Sequence, residues 1–370
     1  MIHLVVPGLL WPKDSVAEVT RGLELPALGA LLGRGRRERR PAVSFERWLC
    51  EAFGVRSEEL QELPIGALRL LGEGIDPGKD AWLCADPVHL RFSRNTLVID
   101  AAGPDLAIEE AAPLVAALNE HLGEFGEFLA PHPRRWYLRA KRTPRIVTHS
   151  LSAVTGRTLE PFLPQGEDAR DWRRLINEAQ VLLHNHPVNA AREAEGRPAA
   201  NSLWPWGAGI LPDAAKAPAP HVHADQPHPK GTSFGALTRG LAKLAGIASS
   251  PLPAQTEDAV PQGLTLLENL SEAAQSLDAA AWRSGLEELE ARWFAPMLTA
   301  LKMRRAHGLR LTALGDDAVV DVTLDAGDLW QFWRRPKNLV DLITEQFVVP
   351  AKAGTQQHTE THPGFPRSRE

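Results

Sequence analysis

The chain has 370 residues, 44% hydrophobic and 24% charged, with 41 basic against 46 acidic side chains and a formal net charge of −5. That is the balance of an ordinary globular protein, long enough for about two domains and a substantial core. It excludes a general polyanion binder, since no long basic stripe offsets the acidic excess, and Cys50 and Cys84 form neither a metal spacing nor a disulfide framework.

In chain order, residues 2 to 6 (IHLVV) predict a buried strand closed by Pro7 and Gly8. RGRRERR at 34 to 40 reads as a solvated helix end rather than a nucleic-acid patch. Phe45, Trp48, Leu49 and Phe53 have helical spacing, WLCAD, LRF and TLVID between 82 and 100 read as strands, and residues 113 to 122 predict a helix with Pro113 in its first turn. Asp168 can cap a helix carrying Trp172, Leu175, Ile176 and Ala179, and Trp282 to Leu301 forms a second apolar stripe. Residues 309 to 314 and 318 to 324 alternate as a terminal strand pair, and a last helix is expected from Leu329 to Ile343 with Trp330 and Trp333 on it. The alternation of short strands and helices is that of an α/β protein. MIHLVVPGLLWPKD has no basic leader, and no apolar run reaches the ~18 residues of a membrane span. A cytoplasmic protein without membrane or nucleic-acid partners is expected.

The densest polar segment is HNHPVNAAREAEGRPAANSLWPWGAG, His184 to Gly209. Pro187 suits the first turn of a short helix that Gly196 and Pro198 end, and the stretch after Pro198 is expected to be a loop. Asn189 and Asn201 supply amides, Arg192 and Arg197 forked cations suited to phosphate or carboxylate, Trp204 and Trp206 rigid surface, and Gly207 and Gly209 backbone open to close approach. These eight residues are the candidate ligand-binding set. The plainer alternative makes the tryptophans core anchors and the arginines a solvated rim.

This segment resembles the motif of the RpfE-type regulatory proteins of proteobacteria and, more distantly, a segment of the archaeal-type cofactor-independent phosphoglycerate mutases. PALGALLGRG at 26 to 35, ALRLLGEG at 67 to 74 and LCADPVHLRFSRNTLVIDAAG at 83 to 103 resemble further segments of the mutases. The resemblance implies an alkaline-phosphatase-like core sheet flanked by helices, built from residues 1 to 78 and 185 to 345. A smaller α+β domain would be inserted over 79 to 184, and 346 to 370 would be a disordered tail. That tail is too polar to offset the entropy of ordering it, and it resembles peptide read from dispersed extragenic repeats.

The resemblance also implies a two-metal phosphoryl-transfer site, and the residues for it are replaced. The first metal-binding aspartate would come after the first strand, where Pro7, Gly8, Leu9 and Leu10 stand; the nucleophile would fall on Leu63; and the late aspartate-histidine pair is represented by Asp316 and Asp317 without histidine. His221, His223, Asp225 and His228 lie close enough to converge on manganese or zinc, against the alternative of a solvated alanine-proline loop. Asp86 and His89 are three residues apart and form a candidate polar site for proton transfer, against a structural role in which His89 bonds backbone between two strands. The expectation is a phosphoglycerate-mutase-like regulatory protein that is non-catalytic, needs no cofactor, and binds a small anionic metabolite or a protein partner. The alternative is an active metal-dependent mutase with displaced ligands.

Overall fold

The computed structural model describes residues 1–57, 62–93, 96–101, 103–224, 233–253, 262–331 and 333–344. In chain order its elements are β1 (Ile2–Pro7), α1 (Val16–Val19), α2 (Pro26–Arg34), β2 (Arg36–Pro41), α3 (Phe45–Ala52), α4 (Ile65–Gly72), β3 (Ala81–Val88), β4 (Leu90–Ser93) and β5 (Thr96–Ile99). Next come α5 (Ile108–Leu122), β6 (Gly126–His132), β7 (Arg135–Ala140), α6 (Leu151–Val154), α7 (Ala169–His184), α8 (Pro187–Ala194), β8 (Ser202–Ile210) and β9 (His221–His223). The last are α9 (Ser233–Leu244), β10 (Ala248–Ser250), β11 (Leu264–Leu266), α10 (Ser271–Ser276), α11 (Ala279–Leu289), α12 (Ala295–Lys302), β12 (Gly308–Leu314), β13 (Ala318–Asp325) and α13 (Leu339–Thr344).

The class is α/β: a seven-stranded sheet, ordered β10-β9-β11-β1-β12-β13-β2, is flanked by helices. Neighbours from β10 to β12 are parallel, while β13 and β2 are antiparallel additions. Alternation along β1 divides the core. Leu4 and Val6 face a cluster with α2, α11 and α12, and Val5 faces a second cluster with α3, α4 and α9. A four-stranded sheet, β6-β7-β3-β8, packs one face on α5 and α7 and meets α4 through Trp82 and Tyr137 on the other. Helix α4 is therefore the layer shared by both sheets.

That shared position explains its glycines. A Cβ on Gly72 would lie 1.8 Å from the Ala236 carbonyl oxygen and one on Gly240 1.8 Å from that of Leu68, so α4 and α9 cross with backbones touching. On the opposite side, a Cβ on Gly66 would come within 2.7 Å of β3 at Leu83.

Several expectations are corrected. RGRRERR is an edge strand rather than a helix end: Gly35 stops α2 where a Cβ would collide with Val322, and 36 to 41 then pair with β13. Charge on such an edge discourages pairing with other chains. The stretch from Asn201 to Gly209 is mostly strand β8, so the small sheet runs past the boundary expected at 184, to Ile210. Pro113 lies inside α5, which begins at Ile108. Asp168 precedes α7, but its carboxylate accepts from the backbone N–H of Arg145 and from Arg142 instead of capping the helix. The helix expected over 329 to 343 is reduced to α13, because Pro336 interrupts it, and Trp330 and Trp333 are exposed. The tail from 346 lies outside the described residues.

Candidate functional site

Two of the residues singled out in the sequence, Asp86 and Trp206, meet at a buried joint rather than at a cleft. Arg69, an arginine in the otherwise apolar run IGALRLLG of α4, is fully buried and forms a paired contact with Asp86 on β3, Nη1 to Oδ2 at 2.8 Å and Nη2 to Oδ1 at 2.6 Å. Trp206 on β8 donates its indole N–H to the same carboxylate at 3.0 Å, and Arg69 Nε donates to the Tyr137 hydroxyl at 3.0 Å. That hydroxyl donates to Glu73, which also takes Arg135. Burial opposes the Arg69 charge, yet Asp86 outweighs it and holds the guanidinium firmly protonated. Asp86 is thus a partner of Arg69, not a proton-transfer group with His89. The His89 ring bonds the Ala199 carbonyl at 2.8 Å, a backbone brace.

The remaining candidates are similarly occupied. Asn189, with no exposure, donates to the carbonyls of Leu183 and Ala200 and accepts from Ala200 N–H. Asn201 makes a two-way amide contact with Leu90, donating at 2.9 Å and accepting at 2.7 Å. Arg192 is buried and spends its donors on the carbonyls of Pro198 and Asp105 and on Glu110 at 2.7 Å, while Arg197 takes the other Glu110 oxygen at 2.9 Å. Trp204 donates to His149 O. Gly207, at φ 65°, supplies the bulge of β8 against β3, and a Cβ there or on Gly209 would strike Ile65 or Pro64 at 2.7 Å. The close approach these glycines permit is to α4. Sequence reasoning did not single out Arg69, Glu73, Glu110 or Tyr137; the one available signal was the arginine inside an apolar helical run.

The cleft that suits a ligand lies elsewhere, beyond the carboxyl ends of β1 and β12, the usual binding edge of a parallel sheet. It has a volume of about 840 Å³, with Lys13, Asp14 and Arg39 on one side, Ser152 and Arg157 on another, and Asp316 and Asp317 just after β12. Arg157 bridges it to Asp316 at 2.5 Å. Beneath Ser152 lies Glu46, 3% exposed, which accepts from the Ser152 hydroxyl at 2.8 Å and whose Oε2 has no hydrogen-bond partner; burial raises its pKa.

The floor between the two strand ends is apolar and closed. A Cβ on Gly8 would lie 2.8 Å from Leu270 O, and one on Gly315 would lie 2.6 Å from Leu10, so the two exit turns are pressed against their neighbours. Leu9 and Leu10 belong to the core, as does Leu63. Residues 7 to 10 offer no side-chain donor atoms to a cation, and Leu63 no nucleophile. The residues present therefore do not fit a two-metal phosphoryl-transfer centre. Of the alternative metal set, His221 and His223 are on strand β9, not in a loop, and both bond the Ser250 hydroxyl, at 2.7 and 2.9 Å. Asp225 and His228 lie outside the described residues. Among the described residues no three His, Cys, Asp or Glu side chains are grouped to hold a metal ion.

The fold and cleft define an α/β protein with its open face at the ends of a parallel sheet. Residues 65–189 match the family model described as 2,3-bisphosphoglycerate-independent phosphoglycerate mutase. Over 139 residues the chain is 32% identical to the enzyme so named from Methanosarcina barkeri, covering 35% of this chain and 34% of that protein. Over 198 residues it is 26% identical to 2,3-bisphosphoglycerate-independent phosphoglycerate mutase 2 of Methanothermobacter thermautotrophicus, covering 52% and 46%. The matched stretches thus span less than half of either relative. A solved cofactor-independent phosphoglycerate mutase from Thermoplasma acidophilum aligns over 94% of this chain and 95% of its own at 16% identity, with a TM-score of 0.44. The chain is distantly phosphoglycerate-mutase-like. The family match covers α4, the small sheet up to β7 and the start of α8, and leaves out both strand exits and Leu63. No helix among the described residues is long and apolar enough to cross a membrane.

Proposed function

We propose that this chain is a cytoplasmic, phosphoglycerate-mutase-like regulatory protein of the RpfE type that does not transfer phosphate, and that it acts by holding a small anionic metabolite in the cleft at the ends of β1 and β12. The observation that carries this reading is the closed apolar floor, where Leu10 meets Gly315; apart from it, Leu63, at the position the resemblance gives to the nucleophile, is a buried core residue. A cleft that offers Lys13 and Arg39, with Arg157 paired to Asp316, above such a floor can bind an anion, and among the described residues no metal-binding cluster stands there to activate it. Two unpaired, buried cysteines support a reducing compartment.

The names of the relatives favour a second reading, an active mutase whose metal is held by displaced residues. Metal analysis of the full chain after equilibration with manganese and zinc separates the two. No stoichiometric metal is expected, and stoichiometric metal would overturn the non-catalytic reading. Calorimetry with 3-phosphoglycerate is expected to show binding that Arg157→Ala weakens by about 1–3 kcal/mol, the range for a charge-assisted hydrogen bond. An absence of binding would remove the ligand from this cleft.

A further inference from the structure

A second cavity, about 950 Å³ in volume, opens between the end of α2, the edge strand β2 and the segment leading into α13. Its walls bring the two arginine-rich parts of the sequence together, although about 300 residues separate them. Arg36 and Arg37 come from RGRRERR, and Arg334, Arg335 and Lys337 from RRPK. Asp341 is the one carboxylate on the wall, and it is engaged with Asn338 N–H. Among the described residues Arg36 and Arg335 form no ion pair.

This gathering is built rather than incidental. Gly29 and Gly33 lie one turn apart on α2 and leave a groove into which the backbone of 335 to 337 fits. A Cβ on Gly33 would lie 2.2 Å from Arg335 O and one on Gly29 3.3 Å from Lys337 O. Lys337 N–H donates to Gly29 O at 3.0 Å, and Arg334 Nη1 donates to Arg34 O at 3.0 Å. Beside that segment, Gly35 turns the chain out of α2 into β2, which sets Arg36 and Arg37 against it. Five cations on two backbone segments, both held against α2, thus stand around one concavity, where a bound anion would be attracted.

We infer that this cavity is an anion site for a small molecule carrying two or more linked phosphate groups, distinct from the cleft at the strand ends. Guanidinium forks match phosphate oxygens, and several forks around one concavity favour linked phosphates over a single one. A long nucleic acid fits less well, because the five cations surround one concavity rather than forming a long stripe, and the whole chain carries −5.

The test is calorimetric titration of the full chain with tripolyphosphate, with orthophosphate and with a single-stranded oligonucleotide. Tripolyphosphate is expected to bind at least about tenfold more tightly than orthophosphate, with an affinity that falls as salt is added. The Arg36→Ala/Arg335→Ala double variant should lose about tenfold to a hundredfold, as for lost charge-assisted contacts, with an unchanged melting temperature because both side chains are exposed. Arg157→Ala, which alters only the other cleft, should leave tripolyphosphate binding intact. The inference is overturned if tripolyphosphate does not bind, if the double variant binds it equally, if Arg157→Ala is the variant that loses it, or if the oligonucleotide binds more tightly than tripolyphosphate.

Discussion

Two polar side chains decide how the joint between the sheets behaves: Arg69 and Asp86. Both are almost fully buried, and removing one partner leaves the other as an uncompensated charge among Trp206, Tyr137 and the backbone. Arg69→Met should therefore cost about 3–5 kcal/mol in urea denaturation, and the double variant Arg69→Met/Asp86→Leu should cost less than either single one. Additive losses would show that the pair is not coupled as described. Glu46 acts in the opposite sense. Its pKa is raised in the fold by burial, so the native state binds its proton more tightly than the unfolded chain does. Stability should fall as pH rises from the ordinary carboxylate range through the raised value. Glu46→Gln is expected to raise the melting temperature at pH 8 and to leave it unchanged at pH 4; a loss at pH 8 would contradict this. His3 adds an acid-side term. Burial, followed by the charge of Arg310, lowers its pKa from 6.5 to about 3, and its ring bonds Thr312 at 2.8 Å. The fold therefore favours neutral His3, and this contribution is lost as pH drops below 6.5 towards 3, a slope that His3→Gln should flatten.

At the scale of elements, the crossing of α4 and α9 has the least tolerance. Gly240→Ala should destabilise the protein by about 1–3 kcal/mol or more through overpacking against the Leu68 carbonyl, measured by chemical denaturation, whereas the same change at Gly74, with nothing within 4 Å, should act only through its positive φ. Apolar residues made the helices at 45 to 52, 169 to 184 and 279 to 302 legible, because each buries one regular face, and the strands β1, β12 and β13 legible as short apolar runs buried on both faces. RGRRERR was not legible as a strand. Its side chains carry no apolar alternation, and its pairing is dictated by β13 and by the contact between Gly35 and Val322, both far along the chain. The polar segment at 184 to 209 was legible as unusual, but its purpose was not. Amides and arginines that brace buried backbone have the same composition as those that line a ligand site, and only the partners, Ala200, Leu90 and Glu110, tell them apart.

For the whole molecule, the stretch that matches the mutase family model and the cleft fall on different layers. The matched part, residues 65–189, is largely the small sheet and its joint to α4; the cleft lies at the carboxyl edge of the large sheet, where Gly8, Leu10 and Gly315 close the floor. A protein so arranged presents a cleft lined by Lys13, Arg39 and Arg157 and by Asp14, Asp316 and Asp317 over an apolar floor. The most direct test is a coupled assay for interconversion of 3- and 2-phosphoglycerate by the full chain in the presence of manganese. The arrangement of the strand exits predicts no turnover above background at any enzyme concentration. Turnover that scales with enzyme and is abolished by chelation would contradict it.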